Sequence, residues 1–163
     1  MELDYQSIFQ GLSREKIDYV VIGGLAVNLH GIPRMTYDMD LMILLDPENI
    51  VKIVNKLANW GYSPRAPVQP KDLADEKKRE MWIKEKNLKA FSFFSEKHPV
   101  GEIDLLIDSP IPYKDVRERA ILFDLGGVGV PVISIPDLIE LKMKSGRKQD
   151  ISDVEHLRIL MES

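Results

Sequence analysis

Two aspartates separated by a single residue are the clearest chemical signal in this sequence. Asp38 and Asp40 open an apolar run that is typical of a strand, and side chains two apart on a strand point to the same face. Carboxylates this close repel each other unless a cation lies between them. Mg²⁺ prefers hard oxygen ligands and takes few of them from protein, because substrate phosphates complete its shell. The pair therefore predicts a divalent-metal site that acts on a phosphate.

A glycine pair upstream of the two acids offers a place for that phosphate. Gly23 and Gly24 follow a buried strand predicted at 18–22 and precede a short predicted helix. Because glycine has no side chain, a phosphate can approach the backbone there, and N–H groups at a helix start face an anion. Arg34 and Thr36 are candidates for further phosphate contacts. Each pair alone also fits an ordinary turn or loop, but their combination at this spacing indicates metal and phosphate binding.

A third carboxylate lies inside a later apolar run. Asp104 is flanked by isoleucine and leucine in a strand predicted at 100–108, and a charged side chain there is seldom buried unless it is paired or binds a metal. Three carboxylates from two neighbouring strands can hold two Mg²⁺ ions about 3.5–4 Å apart, which promotes in-line displacement at phosphorus. Mn²⁺ is the alternative ion. The other interpretation of Asp104 is an exposed strand face with its acid in water.

The motif that runs from the glycine pair to the two acids resembles a known pattern. It reads Gly23-Gly24-x-Ala26-x₃-His30-Gly31-x₂-Arg34-x-Thr36-x-Asp38-x-Asp40, followed by the lone Asp104. The pattern is similar to the nucleotidyltransferase superfamily with the DNA-polymerase-β-like core, and most similar to AbiEii/AbiGii-type toxin nucleotidyltransferases and their small stand-alone relatives. The resemblance implies an α/β (α+β) fold with a mixed central sheet flanked by helices. One domain would span 1–163, with a catalytic core at about 18–108 and C-terminal helices at about 136–162.

The resemblance extends to the C-terminal part, where the family carries a lysine, an arginine and paired aspartates on helices. The corresponding residues here are Lys142, Arg147, Asp150 and Asp153. The resemblance suggests that Lys142 binds the triphosphate. From the residues alone, the two cations also fit a solvated surface, and the aspartates fit a helix cap and a first-turn acid favoured by the helix dipole. The roles of Arg147, Asp150 and Asp153 therefore stay open.

The function that the resemblance implies is nucleotidyl transfer. A nucleoside monophosphate would pass from an NTP, such as ATP, to a hydroxyl of RNA (a tRNA 3′ end) or of a protein, with release of pyrophosphate. Asp38, Asp40 and Asp104 would hold two metal ions, and Asp104 would help to deprotonate the attacking hydroxyl. The alternative function is a nucleotide-binding or regulatory component of a toxin–antitoxin pair, which has little turnover and acts through a protein partner.

A basic run in the middle of the chain raises the question of RNA binding. From Lys77 to Lys89 there are six basic and two acidic residues, with Trp82 among them. Basic side chains next to an aromatic ring can hold RNA phosphates and stack a base, although a solvated helix or loop is the commoner origin of such a run. The net charge of −4 argues against wholesale coating by nucleic acid, but it allows a local patch.

Composition excludes several other classes of site. The sequence contains no cysteine, which rules out disulfides and cysteine-based metal sites, and its three histidines lack zinc-type spacing. His30 falls inside the motif and is interpreted first as a packing residue. The N-terminus is charged early, unlike a signal peptide, and no apolar stretch is long enough to span a bilayer. We therefore expect a cytoplasmic protein without a membrane partner.

The remaining pattern predicts the elements that position these residues. A helix is expected at 3–14 and another from Asp46 to Trp60, where Pro47 and Gly61 mark its start and stop. Residues 63–75 are expected to form a loop that serves as a lid. Further strands are expected at 90–95, antiparallel to the run at 100–108, and at 120–125 and 129–135. The last helix is expected to bury five apolar residues: Val154, Leu157, Ile159, Leu160 and Met161.

Overall fold

The computed structural model describes residues 2–163, which form one seven-stranded sheet with helices around it. The helices are α1 (Tyr5–Arg14), α2 (Gly23–Leu29), α3 (Pro47–Asn59), α4 (Glu76–Lys86), α5 (Tyr113–Arg119), α6 (Ile135–Ser145) and α7 (Lys148–Glu162), and a 3₁₀ helix covers Pro70–Ala74. The strands are β1 (Tyr19–Ile22), β2 (Asp38–Ile43), β3 (Ser63–Pro64), β4 (Ala90–Phe94), β5 (Glu102–Leu106), β6 (Ile121–Leu125) and β7 (Val128–Val132).

The sheet is mixed, as predicted. Its strand order is β3-β4-β5-β2-β1-β7-β6. The central pair β2 and β5 is parallel, and β1 is antiparallel to β2 but parallel to β7. The outer pairs, β3 with β4, β4 with β5, and β6 with β7, are antiparallel. This order places β1, which leads directly into the glycine pair, next to β2, which carries the two acids.

Apolar side chains hold the helices against the sheet. All four residues of β1 are buried, and so are the inward faces of α1 and α3. Both helices begin at an aspartate N-cap: Asp4 accepts a hydrogen bond from the backbone N–H of Ser7, and Asp46 accepts one from Asn49. Such caps satisfy donors that the first helical turn leaves free. The predicted helices at both places are confirmed to within a few residues.

The segment 63–75 contains more structure than the loop predicted from its prolines. It includes the short edge strand β3 and the 3₁₀ helix, in which Leu73 is fully buried. The basic run that follows forms α4, which ends at Asn87 in the left-handed conformation (φ 50°). A lid function for this segment stays a prediction.

The prediction for the last helix is wrong in its C-terminal half. Val154 and Leu157 are buried, but Ile159, Leu160 and Met161 are exposed. The buried stripe of α7 instead begins with two acids, at Asp150 and Asp153. The helix packs mainly on α6, which has 11 residues against the 15 of α7, so its last turns have no neighbour to cover them. No helix within residues 2–163 has the length and apolar character needed to cross a membrane.

Candidate active site

The parallel pair β2 and β5 brings the predicted acids together. Asp40 is the direct cross-strand partner of Asp104, and Asp38 is the partner of Glu102. Because side chains alternate along a strand, all four acids lie on the same face of the sheet. The intervening residues Met39 and Ile103 point to the other face and are fully buried. The register therefore concentrates four carboxyl groups at one place on the sheet.

Burial and mutual repulsion make this place unfavourable for negative charge. Burial, followed by the charge of Asp104 and a hydrogen bond with it, raises the pKa of Asp40 to about 7. Burial also raises the pKa of Asp104, although a hydrogen bond with Ser92 opposes the shift. The pKa of Asp38 is raised by burial and then by the charges of Glu102 and Asp104. A cation beside these groups would favour their ionised forms.

The residues present fit a divalent metal in their chemistry. One carboxylate oxygen of Asp104, Oδ1, is buried and has no hydrogen-bond partner among the described residues. Carboxylate oxygens are the ligands that Mg²⁺ and Mn²⁺ prefer. Within residues 2–163, however, no three His, Cys, Asp or Glu side chains already converge closely enough to form one complete ligand group. Asp40 and Asp104 are the close pair, and Asp38 would have to turn toward them.

The glycine pair lies directly against the acids and their cationic neighbours. Gly23 has a φ of +69°, and a Cβ added there would lie 2.2 Å from Oδ2 of Asp40. At Gly24 an added Cβ would lie 3.2 Å from Cζ of Arg34 and 3.3 Å from Oγ1 of Thr36. The structure therefore brings all four predicted phosphate-binding residues of the N-terminal motif beside Asp40. Gly23 is a position where a side chain fits neither the backbone conformation nor the available space.

A cleft of about 600 Å³ opens over this face of the sheet. Gly23, Asp40 and Asp104 line one end, and residues of α6 and the start of α7, including Lys142 and Arg147, line another wall. Apolar residues of the lining include three leucines: Leu106, Leu138 and Leu141. A volume of this size lies within the range of small-molecule sites. The cleft therefore joins the N-terminal motif to the C-terminal residues that carry the rest of the resemblance.

The C-terminal residues form a buried network of ion pairs. Nζ of Lys142 lies 2.9 Å from Oδ2 of Asp153 and 3.4 Å from Oδ1 of Asp150. All three of these residues are buried. Asp153 also accepts hydrogen bonds from Arg34 and Gln149. Lys142 is therefore not the solvated surface cation of the alternative interpretation, and Asp153 connects it to Arg34 of the N-terminal motif.

The two aspartates of α7 differ in their partners. The N-cap of α7 is Arg147, and Asp150 in the first turn accepts hydrogen bonds from its backbone N–H and its side chain. Burial by itself would raise the pKa of Asp150, but hydrogen bonds from Arg147 and Ser145 and the charge of Lys142 outweigh burial and lower it. Asp150 therefore acts at the helix start, in line with the capping interpretation, but it also binds Lys142. Asp153 lies beyond the cap and serves the ion-pair network.

Base stacking by Trp82 is not possible in this structure. The ring is 4% exposed and packs on Phe91, with ring centroids 5.7 Å apart. Arg79 is also buried and donates a hydrogen bond to the carbonyl of Leu73. These two side chains of the basic run therefore fix α4 to the core, and the exposed lysines fit the solvated helix.

The position of His30 agrees with its interpretation as a packing residue. Its Nε2 lies 2.7 Å from the carbonyl oxygen of Ile133, to which it donates a hydrogen bond. The ring also meets Phe123 edge-on, with ring centroids 5.5 Å apart. His30 therefore ties the end of α2 to β7 and β6 and does not face the acids.

Two neighbours of the acids were missed by the sequence interpretation. Ser92 on β4 is the cross-strand partner of Asp104. Arg65, just after β3, forms an ion pair with Glu102. The alternation along β4 could have placed Ser92 on the face of Asp104, but only once the strand pairing was known. Nothing in the sequence links Arg65 to Glu102, because that contact depends on the outer strand order.

Comparisons with known proteins decide the family. A family model described as "Nucleotidyltransferase of unknown function (DUF6036)" matches residues 5–162. The chain belongs to this nucleotidyltransferase family. The resemblance to the superfamily is thus confirmed, whereas the closer similarity to AbiEii-type toxins is not. A search of curated protein sequences finds no match.

Solved structures with the same fold include two antibiotic adenylyltransferases. The lincosamide antibiotic adenylyltransferase LnuA, bound to lincomycin, is 16% identical with a TM-score of 0.64, over 98% of this chain and 99% of that one. ANT(2″)-Ia, in complex with adenylyl-2″-tobramycin, is 13% identical with a TM-score of 0.55, over 95% and 91%. A candidate nucleotidyltransferase from Thermotoga maritima is 17% identical with a TM-score of 0.59, over 96% and 89%. These likenesses establish the nucleotidyltransferase fold.

Proposed function

We propose that this nucleotidyltransferase moves a nucleoside monophosphate from an NTP to a hydroxyl group with the help of two Mg²⁺ ions. The observation that carries the proposal is the pairing of Asp40 with Asp104 across β2 and β5, beside a glycine that leaves no room for a Cβ. Two facing carboxyl groups with raised pKa values need a cation, and a bare backbone beside them suits a phosphate. A protein that only packed its core here would need neither feature.

Each residue of the site has a proposed role. Asp38, Asp40 and Asp104 hold the metal ions, whose chemistry is to neutralise charge on the triphosphate and to activate the attacking hydroxyl. Gly23 and Gly24 let the β- and γ-phosphates approach the backbone. Further phosphate contacts come from three side chains: Arg34, Thr36 and Lys142. The Nε of Arg34 is buried without a partner among the described residues, and this donor supports its role. Mn²⁺ would replace Mg²⁺ at the same oxygen ligands.

The reaction breaks one bond and forms one. The acceptor oxygen attacks the α-phosphorus, the bond between the α-phosphorus and the bridging oxygen breaks, and pyrophosphate leaves with that oxygen. The hydroxyl proton passes to the carboxylate of Asp104, which would accept it on the oxygen that does not hold a metal ion. Most of the rate enhancement would come from positioning and from neutralised charge, as is usual in phosphoryl transfer.

The acceptor is proposed in two forms. An RNA 3′ end, such as that of tRNA, or a protein hydroxyl follows from the resemblance of the motif to toxin-type relatives. A small hydroxyl compound is the second candidate, because two structures that this chain matches over nearly their full length are adenylyltransferases of small antibiotics. A regulatory role in a toxin–antitoxin pair, with NTP binding but little turnover, is the alternative to both.

A transfer assay tests the proposal and separates the acceptors. The protein is incubated with each α-³²P-labelled NTP and Mg²⁺ or Mn²⁺, together with total tRNA, lysate protein, or lincomycin and tobramycin as small-molecule probes. The Asp38→Ala/Asp40→Ala variant is the control. Transfer that disappears in the control supports the proposal and names the base and the acceptor class. NTP binding without transfer to any probe would favour the regulatory alternative, and the absence of metal-dependent NTP binding would refute the proposal.

A further inference from the structure

The sheet carries a second set of polar side chains beyond the Asp40–Asp104 pair. Asp104 on β5 is opposite Ser92 on β4, and the backbone N–H of Arg65 donates a 3.0 Å hydrogen bond to the carbonyl of Ser92. Asp40, Asp104, Ser92 and Arg65 therefore follow one another across neighbouring strands toward the edge of the sheet. The four lie in one row that begins at the proposed metal ligands.

Arg65 is held in this row by two contacts. Its Nε donates a hydrogen bond to Glu102, which is itself opposite Asp38 across β2 and β5. Its guanidinium lies over the ring of Phe94, with Cζ 4.6 Å from the ring centroid. Phe94 and Glu102 are cross-strand partners, so one small patch of the sheet supplies both contacts. A stacked and paired arginine is pre-organised, and it loses less freedom when it binds a further group.

The guanidinium keeps donors for a ligand. The bond to Glu102 uses Nε, which leaves the two Nη groups with their four N–H donors. The side chain is 57% exposed, so those donors are accessible. Its positive charge also counteracts the upward shifts in the pKa values of Asp38 and Asp104, as expected of a cation close to both acids. Arg65 is therefore an accessible cation within electrostatic reach of the acids.

The strand order indicates the side of the site from which an acceptor hydroxyl would approach. In an in-line displacement, the attacking oxygen and the leaving oxygen lie on opposite sides of the phosphorus. Gly23 follows β1, which flanks β2 on one side, whereas Ser92 and Arg65 lie on the opposite side, past β5. If pyrophosphate leaves toward the glycines, the acceptor hydroxyl must come from the side of Ser92 and Arg65.

We propose that Arg65, Glu102 and Phe94 form an acceptor subsite in which Arg65 binds a phosphate group next to the attacking hydroxyl. This inference rests on the proposed function and names the acceptor side of the same site. A phosphate is favoured because the planar fork of arginine binds oxyanions through two N–H groups at once. An anion placed beside several carboxylates also needs a cation at that point. The phosphate comes either with a polynucleotide 3′ end or with a free mononucleotide.

The test compares Arg65→Ala and Arg65→Lys with Arg119→Ala. Arg119 is a matched control, since it is 52% exposed and pairs with the acid Asp137, but unlike Arg65 its charge does not shift the pKa of Asp38 or Asp104. Three quantities are measured for each protein: the equilibrium affinity for Mg²⁺·ATP without acceptor, the rate of ATP hydrolysis with water as acceptor, and the KM for total tRNA and for AMP as phosphate-bearing acceptors. Adenosine is the probe without a phosphate.

We expect Arg65→Ala to raise the KM for the phosphate-bearing acceptor by about tenfold or more, because one charge-assisted arginine contact is lost. The KM of Arg65→Lys should lie between those of Arg65→Ala and the wild type. In Arg65→Ala, ATP affinity and hydrolysis should fall much less than the KM rises, because Arg65 acts on Asp38 and Asp104 only through its charge. Arg65→Lys keeps that charge and should retain both, and Arg119→Ala should change nothing. Use of tRNA or of AMP identifies the source of the phosphate. The inference would be overturned if adenosine were used as well as AMP or tRNA, or if only acceptors without a phosphate were labelled. It would also be overturned if Arg65→Ala and Arg119→Ala had equal effects. Failure of the wild type to bind ATP or any other NTP would instead refute the proposed function on which it rests.

Discussion

Asp40 and Asp104 face each other across two parallel central strands, where burial raises the pKa of both carboxyl groups and Asp104 raises that of Asp40 further. A fold that needed only stability would place apolar side chains at this position of the sheet, as it does one residue away at Met39 and Ile103. The pair therefore lowers the stability of the metal-free protein, and carboxyl groups with raised pKa values in a cleft are the pattern expected of a functional site.

This trade gives a pH dependence for the stability of the metal-free protein. The pKa of Asp40 is raised in the folded state from 3.8 to about 7, so its neutral form is favoured by folding. The contribution to stability is complete below about pH 4 and is lost as the pH rises through about 7. The asparagine of Asp40→Asn cannot ionise, so this variant keeps the contribution to stability at every pH. In EDTA the free energy of unfolding of the variant should match that of the wild type at about pH 4 and exceed it at about pH 8 by a few kcal/mol, the free energy that corresponds to this raised pKa.

Urea unfolding of both proteins at several pH values measures this difference. A difference that does not change between acidic and mildly alkaline pH would show that burial and the neighbouring acids do not raise the pKa of Asp40. Saturating Mg²⁺ should reduce the difference at the alkaline end, because a bound cation stabilises the ionised carboxylate of the wild type.

Gly23→Ala should weaken metal-dependent NTP binding. An added Cβ would lie 2.2 Å from Oδ2 of Asp40, and the φ of +69° is unfavourable for alanine by roughly 1–2 kcal/mol. Gly127→Ala is the matched control, since its φ is +89° but an added Cβ meets nothing within 4 Å. Both variants should lose similar stability from the backbone, whereas Gly23→Ala alone should weaken NTP binding by about tenfold or more, because the added methyl group displaces the Asp40 carboxylate beside the glycine pair. Titration of Mg²⁺·NTP into both proteins tests this, and equal binding by the two would refute the proposed role of Gly23.

Asp153→Ala should destabilise the fold more than loss of an exposed acid would. Asp153 is 2% exposed, and its carboxylate accepts hydrogen bonds from Arg34 and Gln149 and forms an ion pair with Lys142. Its removal leaves the buried ammonium of Lys142 with only the longer contact to Asp150, and breaking a buried pair costs about 3–5 kcal/mol. Asp137→Ala removes a buried acid whose partner Arg119 is half exposed, and it should cost less. If denaturant unfolding showed the same loss of stability for both variants, the ion pair of Lys142 with Asp153 would not stabilise the fold in the way expected of a buried pair.

Much of the site could be predicted from the sequence because its parts are local. The spacing of Asp38 and Asp40 sets their shared face, and Gly23 and Gly24 directly follow a strand, so neither pair needs knowledge of the rest of the chain. The position of Asp104 could be inferred because a charged side chain within an apolar strand is seldom buried unless it is paired or binds a metal. That the two strands are neighbours could be expected, whereas the register that pairs Asp40 with Asp104 is seen only in the structure.

The remainder depended on contacts between distant segments. The ion pairs that join Lys142 to Asp153 and Asp153 to Arg34 follow from how α7 packs, and a helical pattern gives no partner for an acid. The buried ring of Trp82 follows from the docking of α4 on the 3₁₀ helix and β4, which a basic run does not reveal. The exposed end of α7 reflects the shorter length of α6, a property of the neighbour rather than of α7 itself.

Asp104→Asn should separate binding from turnover. Asp38 and Asp40 remain to hold the metal and the triphosphate, whereas the acceptor of the hydroxyl proton is lost. NTP affinity should fall by a few-fold, and the transfer rate should fall on the order of 10²-fold or more, the usual contribution of a positioned general base. Parallel measurements of NTP binding and of single-turnover transfer test this. Equal losses in affinity and rate would contradict the placement of Asp104 at the reacting hydroxyl.

The most direct test of the central claim is to follow two labels of the same NTP. With Mg²⁺ and an acceptor, the α-³²P label should move to the acceptor and the γ-³²P label should appear in pyrophosphate, and both should stop in EDTA and in Asp38→Ala/Asp40→Ala. Transfer of the γ label to the acceptor, or α-label transfer that survives in that variant, would contradict a nucleotidyl transfer that depends on these carboxylates.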